Sequence, residues 1–455
     1  MIAADPPGWP QLDLPWTTDV VVRGPRIFWG GPLDVEGLAV GSVSAAVTAA
    51  NSFATSRGSS WRSWVASGLV GASFDSIGRL RRDGEPLVAW GELSGFFRTG
   101  DGWVRLHGNY PHHARRLLDV LGASDRAGVQ SKLLELTSLD AETRIRAAGG
   151  IAAAVRTERE WREHEHHRTA IAHRPLIELG TPTGQARALG ASNSLPLDGI
   201  RVLDLTRVIA GPTASRFLGA LGADVLRVDG PDHPELLDQH LDTGFAKHSA
   251  ELDFVDPGNL DTTRQLAGSA DVVLSAYRPG ALRRFGLDAG NLLTEYPHLV
   301  VVELSAWGAS GPWEHERGFD SIVQAATGVA TTYARPDGTP GALPVQALDH
   351  ATGYLMATAA MRLLARRSTE GGATASLALA RTANWLQDQP CSSITSDGDA
   401  FDGPDCPLWL DEAESSYGRL EHVRPPYFTG EVPASYPTTP SRYAADPPEW
   451  WLDQK

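Results

Sequence analysis

Asp349 stands immediately before HATGYLMATAAMRLLARR, a run of small and apolar residues with helical spacing. A carboxylate in that place can attack an activated carbonyl, and covalent catalysis by aspartate is sound chemistry. The same residue also suits the N-cap of the helix, where a side-chain oxygen accepts free backbone N–H groups. The two roles are compatible, since a helix N-terminus favours the ionised carboxylate that a nucleophile needs. A second Leu-Asp occurs at Asp34, before VEGLAVGSVSAAVTAAN. No strand–helix–strand unit surrounds it, so Asp34 is read as a structural cap.

A further centre of interest is TRVIAGP, residues 206–212. It carries the small residues Ala210, Gly211 and Pro212 to the start of a helix, where free N–H groups and the helix dipole favour anions. The N–H groups of the Val208–Gly211 turn are candidates to hold a developing oxyanion. The segment lacks G-x-G-x-x-G, which disfavours a plain dinucleotide fold. Read alone, Gly211-Pro212 equally serves as a tight strand-to-helix turn.

Histidines occur in two runs. His164, His166 and His167 alternate with Glu163 and Glu165, and this stretch is read as a solvated helix face rather than a metal site. His107, His112 and His113 surround Tyr110 and either line a pocket or decorate a loop.

The elements that would position these groups are legible in the central part of the chain. IRVLDLT (200–206), DVLRVDGP (224–231), ADVVLSAYRPG (270–280) and HLVVVELSAWG (298–308) are apolar runs ending in turn residues, and TASRFLGALG (213–222) is a helix closed by Gly222. Such alternation predicts an α/β fold, a parallel sheet with helices on both faces. Ligands then gather at the carboxyl ends of the strands, where loops 207–212, 277–280 and 306–312 cluster.

A weak repeat links residues 31–51 and 345–365, each with Leu-Asp, a glycine and a small-residue helix. Together with composition this divides the chain into a degenerate repeat (1–90), a small α+β domain (91–175), a Gly/Pro/Ala-rich linker (176–197), the α/β core (198–387) and an extended C-terminal wrap (388–455).

The segment LDGIRVLDLTRVIAGPTASRFLGALGADVLRVDGP resembles the opening of the family III CoA-transferases. The resemblance continues in order through KHSAELDF, ADVVLSAYRPGALRRFGL, LVVVELSAWGASGPW, RGFDSIVQAATG and PDGTPGALPVQALDHATGYL, covering roughly residues 197–386. It implies a Rossmann-like sheet with a smaller α+β domain, and Asp349 as the acyl-carrying nucleophile. The implied reaction passes through an aspartyl anhydride and an aspartyl-CoA thioester, exchanging CoA between an acyl-CoA and a small carboxylic acid. By the same resemblance Val208, Ile209, Ala210, Lys247, Tyr277 and Arg284 meet CoA, which is a substrate; no further cofactor and no metal is implied. Homodimers are usual in the family. Racemase members carry a histidine where this chain has Phe319, which moves the expectation toward transfer. An acyl-CoA racemase or isomerase, or an inactive CoA-binding paralogue, remain the alternatives. Segments 96–122 and 149–164, similar to the family's small domain, precede the core here, which implies a fused or permuted order. The glycine-rich lid of some relatives has no counterpart in the sequence.

Bulk properties agree with a soluble enzyme: hydrophobic residues make up 42% and charged residues 21%. A formal charge of −15 argues against nucleic acid or an anionic membrane as partner, and leaves any phosphate-bearing ligand to local basic residues. Cys391 and Cys406 are too few for a disulfide framework. No leader and no apolar span of bilayer length is read, so a cytoplasmic location is expected.

Overall fold

The computed structural model describes residues 12, 14–16, 19–26, 28–87, 90–192, 194–389 and 406–454. The first long element is helix α1, Val35–Ser56, buried along most of its length. A three-stranded antiparallel sheet follows, built from β1 (Gly95–Arg98), β2 (Trp103–Leu106) and, after helices α2 (Pro111–Leu121), α3 (Arg126–Leu134) and α4 (Ser138–Ala147), β3 (Ala152–Ala154). Strand alternation turns Val104 and Leu106 inward, where they meet Leu117, Val129 and Ile145 in a separate small core. Trp103 and Arg105 consequently point the other way. Helix α2 starts with Pro111 in its first turn and ends on Gly122 at φ 62°, the left-handed cap that glycine accepts without a Cβ clash.

The main sheet comprises β4 (Glu178–Leu179), β5 (Arg201–Leu205), β6 (Asp224–Asp229), β7 (His248–Glu251), β8 (Val272–Ser275), β9 (Val300–Ser305) and β10 (Ala373–Ala378). Its order is β7-β6-β5-β8-β9-β10-β4, parallel throughout except for the edge strand β4. Side chains alternate between two cores. Val202, Val225, Leu274 and Val300 face α1 and the helices α5 (Ala210–Ala220), α6 (Asp320–Thr327) and α7 (Ala347–Glu370), while Leu203, Leu226, Val273 and Val301 face the opposite layer with Leu266, Leu292 and Trp450. The expected α/β sandwich is present. Strand order reverses between β5 and β8, and such a reversal opens a crevice at the carboxyl ends of the two strands.

The central strands lie within the expected segments, but α5 starts at Ala210, before the expected Thr213. Gly211 has no room for a Cβ, which would run into the Thr206 side chain, so the tight-turn requirement at this glycine is met. Gly353 on α7 likewise lets that helix lie against the Ala210 carbonyl.

Three further expectations concern the rest of the chain. Contrary to the reading that no apolar span is long enough for a bilayer, α1 has 22 residues and a mean hydropathy of 1.3; it is a core helix packed on α7, with 89% of the apolar window buried. The Gly/Pro-rich stretch 176–197 supplies edge strand β4 and stays on the sheet, with Thr183 N–H donating to the Gly372 carbonyl at 2.9 Å and Arg57 Nη1 donating to the Pro196 carbonyl at 2.7 Å. Beyond residue 405, Leu410–Ser415 and Gly418–Val423 form a hairpin that pairs with Arg81–Arg82. Cys391 lies outside the described residues, and Cys406 is a buried thiol.

Candidate active site

The turn after β5 rests on two buried charge clusters. In the first, Asp204 at the end of β5 accepts the Thr206 N–H at 2.9 Å and faces Lys247 Nζ at 3.3 Å. Burial opposes its charge, but Lys247 and Arg227 hold its carboxyl below the usual range. Burial in turn pushes Lys247 down to about 8. In the second cluster Glu235 accepts the Val208 N–H at 2.9 Å, Arg227 Nη2 at 3.2 Å and the hydroxyl of Tyr110 at the start of α2. Arg227 Nε also meets Asp229 Oδ2 at 2.6 Å. The smaller domain is thereby tied to the sheet through one buried carboxylate. Val208 takes φ 70°, a strained value for a β-branched residue, and its N–H is already used by Glu235. The expectation that this N–H is free to hold an oxyanion is therefore corrected.

Asp349 is the third residue of α7 and is 6% exposed. It does not cap its helix. Asp320, at the start of α6, accepts the N–H groups of Leu348 at 2.9 Å and of Asp349 at 3.0 Å through one oxygen, and the Gln324 amide through the other. No hydrogen bond among the described residues reaches the Asp349 carboxyl. Burial and then the neighbouring Asp320 charge push Asp349 well above the usual carboxylate range, and burial raises Asp320 to about 6. The expectation that helix position keeps Asp349 ionised fails, because loss of hydration outweighs the helix field and the donors go to Asp320. Of the two, Asp349 is the member without donors, so burial and the neighbouring charge favour its protonated form over that of Asp320. Asp34 behaves as expected of a cap, with Oδ1 accepting the Gly37 N–H at 2.8 Å and Oδ2 paired with Arg26.

A cavity of about 340 Å³ opens at the carboxyl ends of β5, β8 and β9, where Leu205, Tyr277 and Ser305 reach its wall. Arg116, Arg207, Arg278 and Arg317 line it against a single acid, Glu316. A chain of net negative charge thus presents a basic crevice at its switch point. Arg207 comes only within 3.8 Å of Asp229 and 3.9 Å of Glu235, and its Nε and Nη2 are buried without a hydrogen bond. From the smaller domain come His112, which stacks on His233 at 4.1 Å between centroids, and His113. Phe319 forms part of the wall, and Asp320 directly behind it leads to Asp349. Neither Asp349 nor Asp320 is among the residues that line this cavity.

The expected contacts distribute unevenly. Val208 and Tyr277 line the cavity; Ile209 is half-buried and Ala210 buried beside it. Lys247 is internal, its Nζ donating to the Pro212 carbonyl at 2.9 Å. Arg284 is exposed and packs over Phe285 at 4.5 Å. His166 and His167 contradict the solvated-face reading. Both are buried; His166 donates from Nε2 to the Trp307 carbonyl at 2.8 Å, and His167 meets Asn384 Oδ1 at 2.6 Å. Sequence reading missed Glu235, an acid in a Pro-rich loop that carried no signal, and Arg116 and Arg317, whose only signal was basic character; Arg207 entered only as the start of the loop 207–212.

These features define an α/β protein with an arginine-lined crevice at its switch point and a pair of buried carboxyls, Asp320 and Asp349, at the starts of two helices. Residues 197–403 match the family model described as CoA-transferase family III. Over 189 residues it is 35% identical to the probable fatty acyl-CoA transferase Rv3272 of Mycobacterium tuberculosis, covering 39% of this chain and 48% of that protein. An acyl-CoA transferase of Gibberella moniliformis is 30% identical over 322 residues, covering 64% of this chain and 55% of the relative. A crystal structure of Rv3272 aligns with a TM-score of 0.41 at 34% identity, covering 43% of this chain and 58% of that one. The chain spans about half the length of the curated relatives it matches.

Proposed function

We propose that the chain is an acyl-CoA:carboxylate CoA-transferase that works through covalent intermediates on Asp349. The observation that supports the reading is a buried Asp349 carboxyl that receives no donor among the described residues, on a helix start held by Asp320, the residue after the crevice-lining Phe319. In the proposed cycle an Asp349 oxygen attacks the thioester carbonyl, the C–S bond breaks, and CoA leaves as thiolate with a mixed anhydride left behind. The thiolate then attacks the Asp349 carbonyl carbon and expels the first acid, giving an aspartyl-CoA thioester. The acceptor carboxylate attacks that carbon and releases CoA thiolate. Attack of the thiolate on the new acyl carbonyl frees Asp349 and the product thioester.

Asp349 must shed its proton before the first attack, and Asp320, raised to about 6, is the adjacent group able to take it up. The crevice arginines supply the positive charge that the phosphates of CoA require. The deciding experiment is intact-protein mass spectrometry after incubation with acyl-CoA thioesters, with hydroxylamine to trap the activated carboxyl. An adduct on Asp349 that is absent from Asp349→Ala supports the reading; turnover retained in that variant overturns it.

Proton exchange at the α-carbon of an acyl-CoA is the second reading, favoured by the proton held on the carboxyl pair. Deuterium incorporation from solvent without any acceptor acid would select it.

A further inference from the structure

The small three-stranded sheet turns one row of side chains toward α6. Arg105 on β2 lies opposite Phe96 on β1 and Ala153 on β3, so the three share a face. Ala153 is buried in the main core with Ile322 and Val323 of α6, and just beyond β3 the Arg156 N–H donates to the Ala325 carbonyl at 3.0 Å. Two residues after Arg105, His107 stacks at 3.9 Å between centroids on Phe319, the residue before Asp320. The row that carries Arg105 therefore meets the start of α6, where Asp320 stands.

Arg105 is a half-buried cation without an acid of its own. Its guanidinium packs over the rings of Phe96 at 4.9 Å and Trp90 at 5.2 Å. Its Nε is buried with no hydrogen-bond partner, and no ion pair reaches the group among the described residues. Burial lowers Arg105 to about 10, which leaves it charged at neutral pH, and the Asp320 carboxylate acts in the opposite direction. Arg105 in turn joins Gln324 and the Leu348 and Asp349 N–H groups in opposing the rise that burial imposes on Asp320. The charges at this place are thus Asp320 on α6, Asp349 on α7 and Arg105 on β2. His107 and His350, both held down to about 3 by burial, are neutral there.

Attack requires Asp349 without its proton, and its loss leaves two negative carboxylates close together in the interior. A cation beside Asp320 offsets part of that repulsion. We propose that Arg105, delivered by the smaller domain, is a positioning residue whose charge balances Asp320 and so allows Asp349 to be ionised next to it. The assignment deepens the transferase reading above and rests on it. An arginine that only filled space between Phe96 and Trp90 could be exchanged for any long side chain without moving a titration.

The test follows Asp349 adduct formation against pH by intact mass, with acetyl-CoA, butyryl-CoA and octanoyl-CoA as donors. Arg105→Met should move the midpoint of the profile up by about one pH unit or more, roughly a tenfold loss of rate on the rising limb. Arg105→Lys, which keeps the charge, should return the midpoint to within about half a unit of wild type. A midpoint unmoved in Arg105→Met overturns the assignment even if the rate falls, and so does an Arg105→Lys midpoint displaced as far as that of Arg105→Met. Should Arg105→Met fail to fold, Arg105→Gln takes its place with the same two outcomes. If no donor gives an adduct in wild type, the transferase reading fails. Carbon-13 NMR of protein labelled at aspartate Cγ, assigned with Asp320→Asn and Asp349→Asn, then decides the charge balance alone. Titration of the pair at higher pH in Arg105→Met than in wild type retains it, and coincident titrations discard it.

Discussion

Asp320 accepts the backbone N–H of Asp349 at 3.0 Å, yet the Asp349 carboxyl itself receives no donor among the described residues. One aspartate thus organises the helix start on which the other is displayed, and leaves it bare. Burial and the neighbouring Asp320 charge both favour the uncharged form of Asp349, with consequences for stability and reactivity.

Asp349→Asn should therefore stabilise the protein at neutral pH. A carboxyl raised by folding binds a proton in the native state that the unfolded chain has already released, so its contribution declines as pH climbs from the ordinary carboxylate range toward the raised value. The thermal midpoints of variant and wild type should coincide below about pH 4 and diverge above it. By pH 8 the variant should melt clearly above wild type. A variant less stable than wild type at pH 8 would contradict the placement of the proton.

Adduct formation should accelerate with rising pH, because only ionised Asp349 attacks. The midpoint should lie above the usual carboxylate range and should fall in Asp320→Asn, which removes the like charge while keeping an oxygen for the Leu348 and Asp349 N–H groups. Rates measured by quenched-flow mass spectrometry between pH 4 and 9 provide the check; a profile unchanged by Asp320→Asn counts against coupling between the two.

Lys247→Met should destabilise the fold by about 3–5 kcal/mol by leaving Asp204 charged and unpaired in the interior. Because the amine faces Asp204 and the Pro212 carbonyl, CoA affinity of the folded variant should change less than tenfold. Denaturant melts paired with calorimetry separate the outcomes: an intact melt with lost CoA binding would return Lys247 to the ligand.

Phe319→Ala should raise the rate of adduct formation severalfold, since this ring lines the cavity and precedes Asp320, which holds the helix start that carries Asp349. A rate below wild type would mean that the ring forms the surface against which the acyl group is positioned.

The strands of the core were legible because apolar β-branched runs ending in turn residues admit few other readings. Val202, Val225, Val273 and Val301 all lie in the sheet as their pattern required. The ionisation of Asp349 was not legible, since it depends on Asp320, 29 residues earlier, and on burial by packed helices. His166 and His167 were misread for a related reason. Their Glu and Arg neighbours suggested a wet helix face, but the Trp307 carbonyl and Asn384, more than a hundred residues away in sequence, supply the partners. Arg116 and Arg317 meet at the Gly149 carbonyl from separate domains, a convergence that no local window contains.

The hairpin Leu410–Ser415/Gly418–Val423 completes a sheet begun by Arg81–Arg82, and Leu420 closes a cluster with Leu80, Leu241 and Phe245. During synthesis, Arg81–Arg82 can pair at once with Glu85–Pro86, but its other edge stays open until the distant hairpin has emerged. Until then the apolar side chains beneath it wait uncovered, and messages cut short before that hairpin would yield products prone to clumping or proteolysis.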